Sequence, residues 1–135
     1  MYQKDYILRM VEMLGDLLRA LFGLIEKGEL DAASDNLEKI YYDMLKQDAA
    51  FFRNIPVEDL TKKLLEEHNY TGGHLEILAE LFRAESALEY ARGREEACIE
   101  YARKSLILFE YVDQDTRTFS PERFEKMNLL RERLS

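Results

Sequence analysis

Cysteine is nearly missing from this chain. Cys98 is the only one in 135 residues, so no internal disulfide can form and nothing in the thiol content argues for secretion. Proline occurs twice and glycine six times, so few positions interrupt a helix. No segment alternates β-branched with polar residues, which removes the usual signal for strands. Long apolar runs are missing too. Lys4, Asp5, Arg9, Glu12, Asp16 and Arg19 break up the opening, and the longest uninterrupted stretch there is residues 20–25. The opening therefore does not read as a signal peptide, and that stretch is far short of a membrane span. Nor is there an excess of base. Seven basic residues face ten acidic ones over residues 1–55, and twelve face seventeen over residues 56–135. With a net charge of −8, counterion release cannot drive binding to nucleic acid or to an anionic membrane. A cytoplasmic location is expected by elimination.

What is present suits one soluble domain. A chain of 135 residues can bury roughly two-thirds of its unfolded surface, enough for a core without staples. A hydrophobic content of 47% with 34% charged residues is that of a globular protein rather than a disordered one.

Two stretches 65 residues apart share one design. Around Gly28 and again around Gly93, a long helical pattern stops at a glycine and a second helical pattern starts at once, with small residues on its inner face. That is a helix-turn-helix pair used twice. Six helices are expected, over residues 4–26, 30–47, 56–68, 74–92, 94–112 and 121–134. They group into a first pair (1–47), a short connecting helix (56–68), a second pair (74–112) and a capping helix (120–134). The loops fall at 48–55, 69–73 and 113–119, too short for linkers between domains. The last helix has the clearest start. Ser120 can cap it, Pro121 fits its first turn, and Phe119 and Phe124 stand at the two positions of a hydrophobic staple.

The first helix is apolar over most of its circumference. Ile7, Leu14 and Leu21 are spaced by seven, as are Val11, Leu18 and Ile25, and Met10, Leu17 and Leu24. The consistently polar strip is Arg9, Glu12, Asp16, Arg19 and Glu26. A surface helix needs one apolar face. This one is either a central helix packed on several sides or meets another molecule.

The second pair resembles a tetratricopeptide repeat. Gly93 matches the turn glycine, Cys98 and Ser105 the small residues of the second helix, Phe82 the large aromatic and Ser86 a small residue of the first. Glu85 and Glu89 depart from that family's apolar and aromatic positions. The first pair matches through Gly28, Leu30, Ala33 and Leu37, so the resemblance covers roughly 70 of the 135 residues. The opening Met1-Tyr2-Gln3-Lys4-Asp5-Tyr6-Ile7-Leu8-Arg9-Met10-Val11-Glu12 also resembles that of a family of short, uncharacterised helical bacterial proteins, a likeness that runs along the chain and implies no activity. The repeat resemblance implies an all-α, repeat-like stack and a groove that holds a protein or peptide. On that likeness Arg83 and Tyr90 line the groove from the fourth expected helix, and Leu18, Phe22 and Ile25 occupy the same face of the first. Exposed together, those three apolar side chains form a binding patch; covered by the last helix, they are core.

Motifs for chemistry are weak. His68 and His74 flank Asn69-Tyr70-Thr71-Gly72-Gly73, a spacing that matches no standard metal site. Cys98 is in register with Tyr101, Ala102, Ser105, Leu108, Phe109 and Val112, which reads as a small buried thiol rather than a nucleophile. Gly72-Gly73 lacks the lysine and spacing of a phosphate loop. Arg83, Arg92, Arg94, Arg103 and Lys104 are the densest basic set, and Glu80, Glu89 and Glu100 can pair with them. The expected function is a non-enzymatic interaction module for a protein or peptide, or for a second copy of the chain, with no cofactor, metal, nucleic acid or membrane. The alternative is a small-molecule binder or enzyme with a pocket lined by tyrosines such as Tyr41, Tyr90 and Tyr101.

Overall fold

A computed structural model describes residues 2–135, with side chains from Tyr6 onward. The side chains of residues 1–5, and with them any Asp5–Arg9 pair, lie outside the described residues. The described chain is all-helical. Its α-helices are α1 (Tyr2–Glu26), α2 (Leu30–Leu45), α3 (Ala49–Arg53), α4 (Leu60–Glu67), α5 (Gly72–Ala91), α6 (Glu95–Thr116) and α7 (Pro121–Leu134), and a 3-10 turn at Val57–Asp59 leads into α4. Seven helices thus replace the six expected. The extra one is α3, in a segment expected to be loop. Its five residues carry no side-chain cap; Phe52, fully buried, and Arg53, bonded to α5, hold it from outside.

The turns behave as their residues dictate. Gly28 and Gly93 take φ of 79° and 77°, the left-handed region that side chains resist, and so let α1 and α5 stop and the next helix start within three residues. At α7, the Ser120 hydroxyl accepts from the Arg123 N–H at 3.2 Å, Pro121 opens the helix, and the Phe119 and Phe124 rings meet at 5.7 Å. The expected cap and staple are both formed.

The packing order follows from which helices touch. α1 packs on α2 and α5, α2 also packs on α5, α5 packs on α6, and α7 packs on α6. α5 is therefore the central helix, with twelve buried residues in twenty. α1, which its all-round apolar pattern made a candidate for the centre, lies at one end of the series. Small residues bring α5 and α6 together: the Ser105 hydroxyl donates to the Ala79 carbonyl at 2.7 Å, and the Ser86 hydroxyl to the Cys98 carbonyl at 2.8 Å. Phe52, Leu60 and Leu64 of the connecting segments join the same core as Leu14, Leu21, Leu37, Tyr41, Phe82 and Phe109.

Candidate functional site

Of the five residues expected to bind a partner, three are drawn into the body. Leu18 is 4% exposed and belongs to the core. Phe22 and Ile25 are half-buried against that core, and the Arg83 guanidinium lies over the Phe22 ring at 4.8 Å. Arg83 also donates to Glu80 at 2.9 Å. The space between α1 and α5 is thus filled by the chain's own side chains. Tyr90 is 68% exposed but sits at the far end of α5, under the Arg133 guanidinium at 4.8 Å. The five do not form one open patch.

Most of the apolar surface that α1 leaves open lies on another flank, with Leu8, 54% exposed, standing apart on a different side of the helix. Tyr6 is 55% exposed, Met13 59% and Leu17 36%. Together with Met10, Ala20 and Leu24 they follow a 4-3-4-3-4 spacing, which keeps one line along a helix that is slightly underwound. Met10 is buried and Leu24 half-buried, so they form the inner edge of the line, while Ala20 is open. Arg9 and Asp16, seven apart and both exposed, border it on the solvent side. Asp16 accepts from Arg19 at 2.8 Å, an exposed pair of little energetic weight. The periodicity that marked α1 as over-apolar contained this row, but only the placement of α2 and α5 reveals that it is the row left open.

A second feature is buried and polar. Glu85, in mid-α5, is 3% exposed, yet it accepts from Arg53 Nε of α3 and from the Tyr41 hydroxyl of α2 at 3.2 Å. Arg53 also donates to Glu38 at 2.6 Å, and Lys104 Nζ of α6 donates to the Arg53 carbonyl at 2.9 Å. Burial raises the Glu85 carboxyl above the usual range, and the bond and charge of Arg53 offset part of that. Tyr101, beside the same carboxylate, is pushed up to about 12, first by burial and then by the charge of Glu85. Each polar group has a partner, which makes this a cross-link of four helices. Glu89, the second departure from the repeat pattern, is held the same way by Arg92 at 3.1 Å and Arg94 at 3.4 Å.

A broad open cavity of about 1060 Å³ lies around the start of α5, lined among others by Tyr6, Ile7, Gly72, His74, Asp115 and Arg123. Thr71 and His74 make a reciprocal cap there: the Thr71 N–H donates to His74 Nδ1 at 3.0 Å, and the Thr71 hydroxyl accepts from the His74 N–H. Arg123 is engaged by Asp113 at 2.6 Å and by the Thr118 carbonyl at 2.8 Å. Burial lowers His74, and it raises Glu76, also in the lining. The tyrosines expected to line a pocket are dispersed. Tyr41 is fully buried on Glu85, Tyr101 stacks on Phe82 at 5.8 Å, and Tyr90 is open to solvent.

His68 packs edge-on against Phe51 at 4.9 Å, while His74 serves the cap. Among the described residues no three His, Cys, Asp or Glu side chains are gathered to hold a metal ion, and no helix is long and apolar enough to cross a membrane. Cys98 is buried against Ser86, its sulfur 3.3 Å from the hydroxyl. No family model, no curated protein and no solved structure matches the chain.

Proposed function

We propose that this chain is a non-enzymatic protein-interaction module that receives a helical partner along the outer flank of α1. The observation that carries the reading is the open row of Tyr6, Met13 and Leu17, three large apolar side chains aligned on one helix with solvent over them. Scattered surface apolar residues are ordinary, but an aligned set on an amphipathic helix is the form in which helices recognise helices. The tetratricopeptide-like stacking belongs to the same reading. It is supported by α5 packing against both members of the first pair, and by glycine turns at Gly28 and Gly93. A bacterial, cytoplasmic setting is part of the proposal. It is supported by the single buried thiol and the resemblance of the opening to bacterial helical proteins.

The test is affinity capture with the wild type and a Met13→Glu/Leu17→Glu variant whose helical content is verified by circular dichroism. Both positions are open to water, so the variant is expected to fold and to lose the partner. If folded variant and wild type retain the same proteins, the α1 flank is not the binding surface and the reading fails.

The cavity at the start of α5 favours a second reading, a site for a small polar ligand beside His74 and Arg123. A thermal-shift screen of metabolites separates the two. A ligand present at about 100-fold over its Kd adds about 2.7 kcal/mol of stability, and a flat screen leaves the first reading alone.

A further inference from the structure

We infer that the partner on the α1 flank is a second copy of this chain, with the two α1 helices lying antiparallel about a two-fold axis. This rests on the interaction reading above and names its partner. Three observations point to it.

The first is spacing. Residues 6, 10, 13, 17, 20 and 24 follow the alternation of four and three that seats one helix into the grooves of another, and apolar Tyr6, Met10, Met13, Leu17, Ala20 and Leu24 fill every one of those positions. At 1.5 Å per residue the row is about 27 Å long. The second is charge. On the solvent-side border of the row, Arg9 and Asp16 stand one heptad apart with opposite signs. In an antiparallel pair the residues bordering this side face their own kind across the axis. A register centred between the two charges sets Arg9 of each copy against Asp16 of the other. The patch is then complementary to itself, which a two-fold interface requires. Sliding the helices past each other by one heptad in either direction would set Asp16 against Asp16 or Arg9 against Arg9 instead, so charge also selects the alignment.

The third is position. α7 covers α6 at one end of the helix series, whereas at the other end Tyr6, Met13 and Leu17 on the α1 flank stay open to solvent among the described residues. Two helix pairs are fewer than the roughly three units a stack needs to cover its ends. A second α1 supplies the missing layer with a sequence already matched to it. The contact centres on one helix from each copy, so the dimer is expected to dissociate on dilution rather than to be permanent.

The test is absolute mass by light scattering or sedimentation over a concentration series, on four full-length proteins: wild type, Met13→Glu, Arg9→Asp and Asp16→Arg. Circular dichroism confirms that each is folded. The wild type is expected to move from monomer to dimer with concentration, and Met13→Glu to remain monomeric. Arg9→Asp sets acid against acid and Asp16→Arg sets base against base, so each alone should raise the dimer Kd by about tenfold or more. An equimolar mixture of the two should dimerise again, because every cross-axis pair is then of opposite sign. A wild type that stays monomeric throughout overturns the inference, as does a dimer indifferent to Met13→Glu or a mixture no tighter than its components. The capture experiment judges the broader reading separately: a monomeric wild type whose foreign partner is lost in the Met13→Glu/Leu17→Glu variant sinks the self-pairing and leaves the module.

Discussion

Replacing Arg53 with methionine probes the hardest electrostatic problem in this fold. Glu85 is 3% exposed in the middle of the central helix, and Arg53 is the cation bonded to it. Methionine keeps the stem and removes the guanidinium. The carboxylate then retains the Tyr41 hydroxyl at 3.2 Å, and Lys104 Nζ stays on the Arg53 backbone carbonyl. Breaking a buried ion pair from one side costs about 3–5 kcal/mol. The Arg53 side chain is 26% exposed, so water reaches the site and about 3 kcal/mol is the better expectation. That is a large share of the roughly 5–15 kcal/mol that separates folded from unfolded domains.

The penalty also has a definite pH dependence. Burial already raises Glu85 in the wild type, and loss of Arg53 lets it rise further. An acid raised in the folded state contributes its full stability below its unfolded value, near 4.5, and loses it as pH climbs through the folded value. Arg53→Met should therefore be much more costly at pH 8 than at pH 5. Urea denaturation followed by circular dichroism at both pH values measures this. Glu85→Gln added to Arg53→Met should recover most of the loss at pH 8, since a neutral amide still pairs with Tyr41 without a buried charge. An Arg53→Met penalty equal at the two pH values, or a double variant as unstable as the single, would refute the reasoning.

Two other perturbations have expected outcomes of definite sign. His74 closes the α5 cap only with Nδ1 unprotonated, and burial lowers it below its usual 6.5, so the cap's contribution is present above that value and is lost as pH falls through the lowered one. His74→Gln can close the same cap without titrating, so the stability difference between it and the wild type should shift by about 0.5–1 kcal/mol in favour of Gln between pH 7.5 and pH 5; a constant difference in urea melts would contradict this. At Gly73 an added Cβ would fall inside the envelope of Ile7 Cγ2. Gly73→Ala should cost about 1–3 kcal/mol by thermal melting, and Ile7→Ala in the same chain should relieve part of it.

These residues also show which parts of the molecule are readable from the chain. Helix ends fixed by local chemistry were legible: Gly28 and Gly93 at positive φ, Ser120 and Pro121 at the start of α7, and the Phe119–Phe124 staple. α3 was not, because nothing within Ala49–Arg53 specifies a helix. Its anchor is a carboxylate 32 residues away. Glu85 and Glu89 were legible as departures from a repeat pattern, and so was the pairing of Glu89 with nearby arginines, which Arg92 and Arg94 supply; the partner of Glu85 was not, since Arg53 arrives from another helix 32 residues away. The open face of α1 was half legible. Its period names several apolar rows of similar strength, and a helical period cannot say which row the rest of the chain will cover.

That ambiguity is itself informative about how the surface arises. A helix apolar on one side is satisfied by one neighbour. α1 buries Leu14, Leu18 and Leu21 against the body and covers Phe22 with Arg83, and still has the aligned Tyr6, Met13 and Leu17 left over, besides Leu8 on a different side. At the other end of the series α7 meets part of the same demand with polar side chains: Met127 and Leu130 turn inward, Arg123 is tied down by Asp113, and Lys126 reaches Glu80, while Phe124 and Leu129 stay open but do not form a row with the spacing seen on α1. α1 places its charges on a strip beside the apolar row rather than across it, so the row stays continuous. Continuity costs solubility and adds little to the stability of a lone monomer, because the exposed side chains gain nothing from burial until something lies over them. The energetic return on that row comes on association, which is why the α1 flank carries the functional proposal and the fully paired Glu85 cross-link does not.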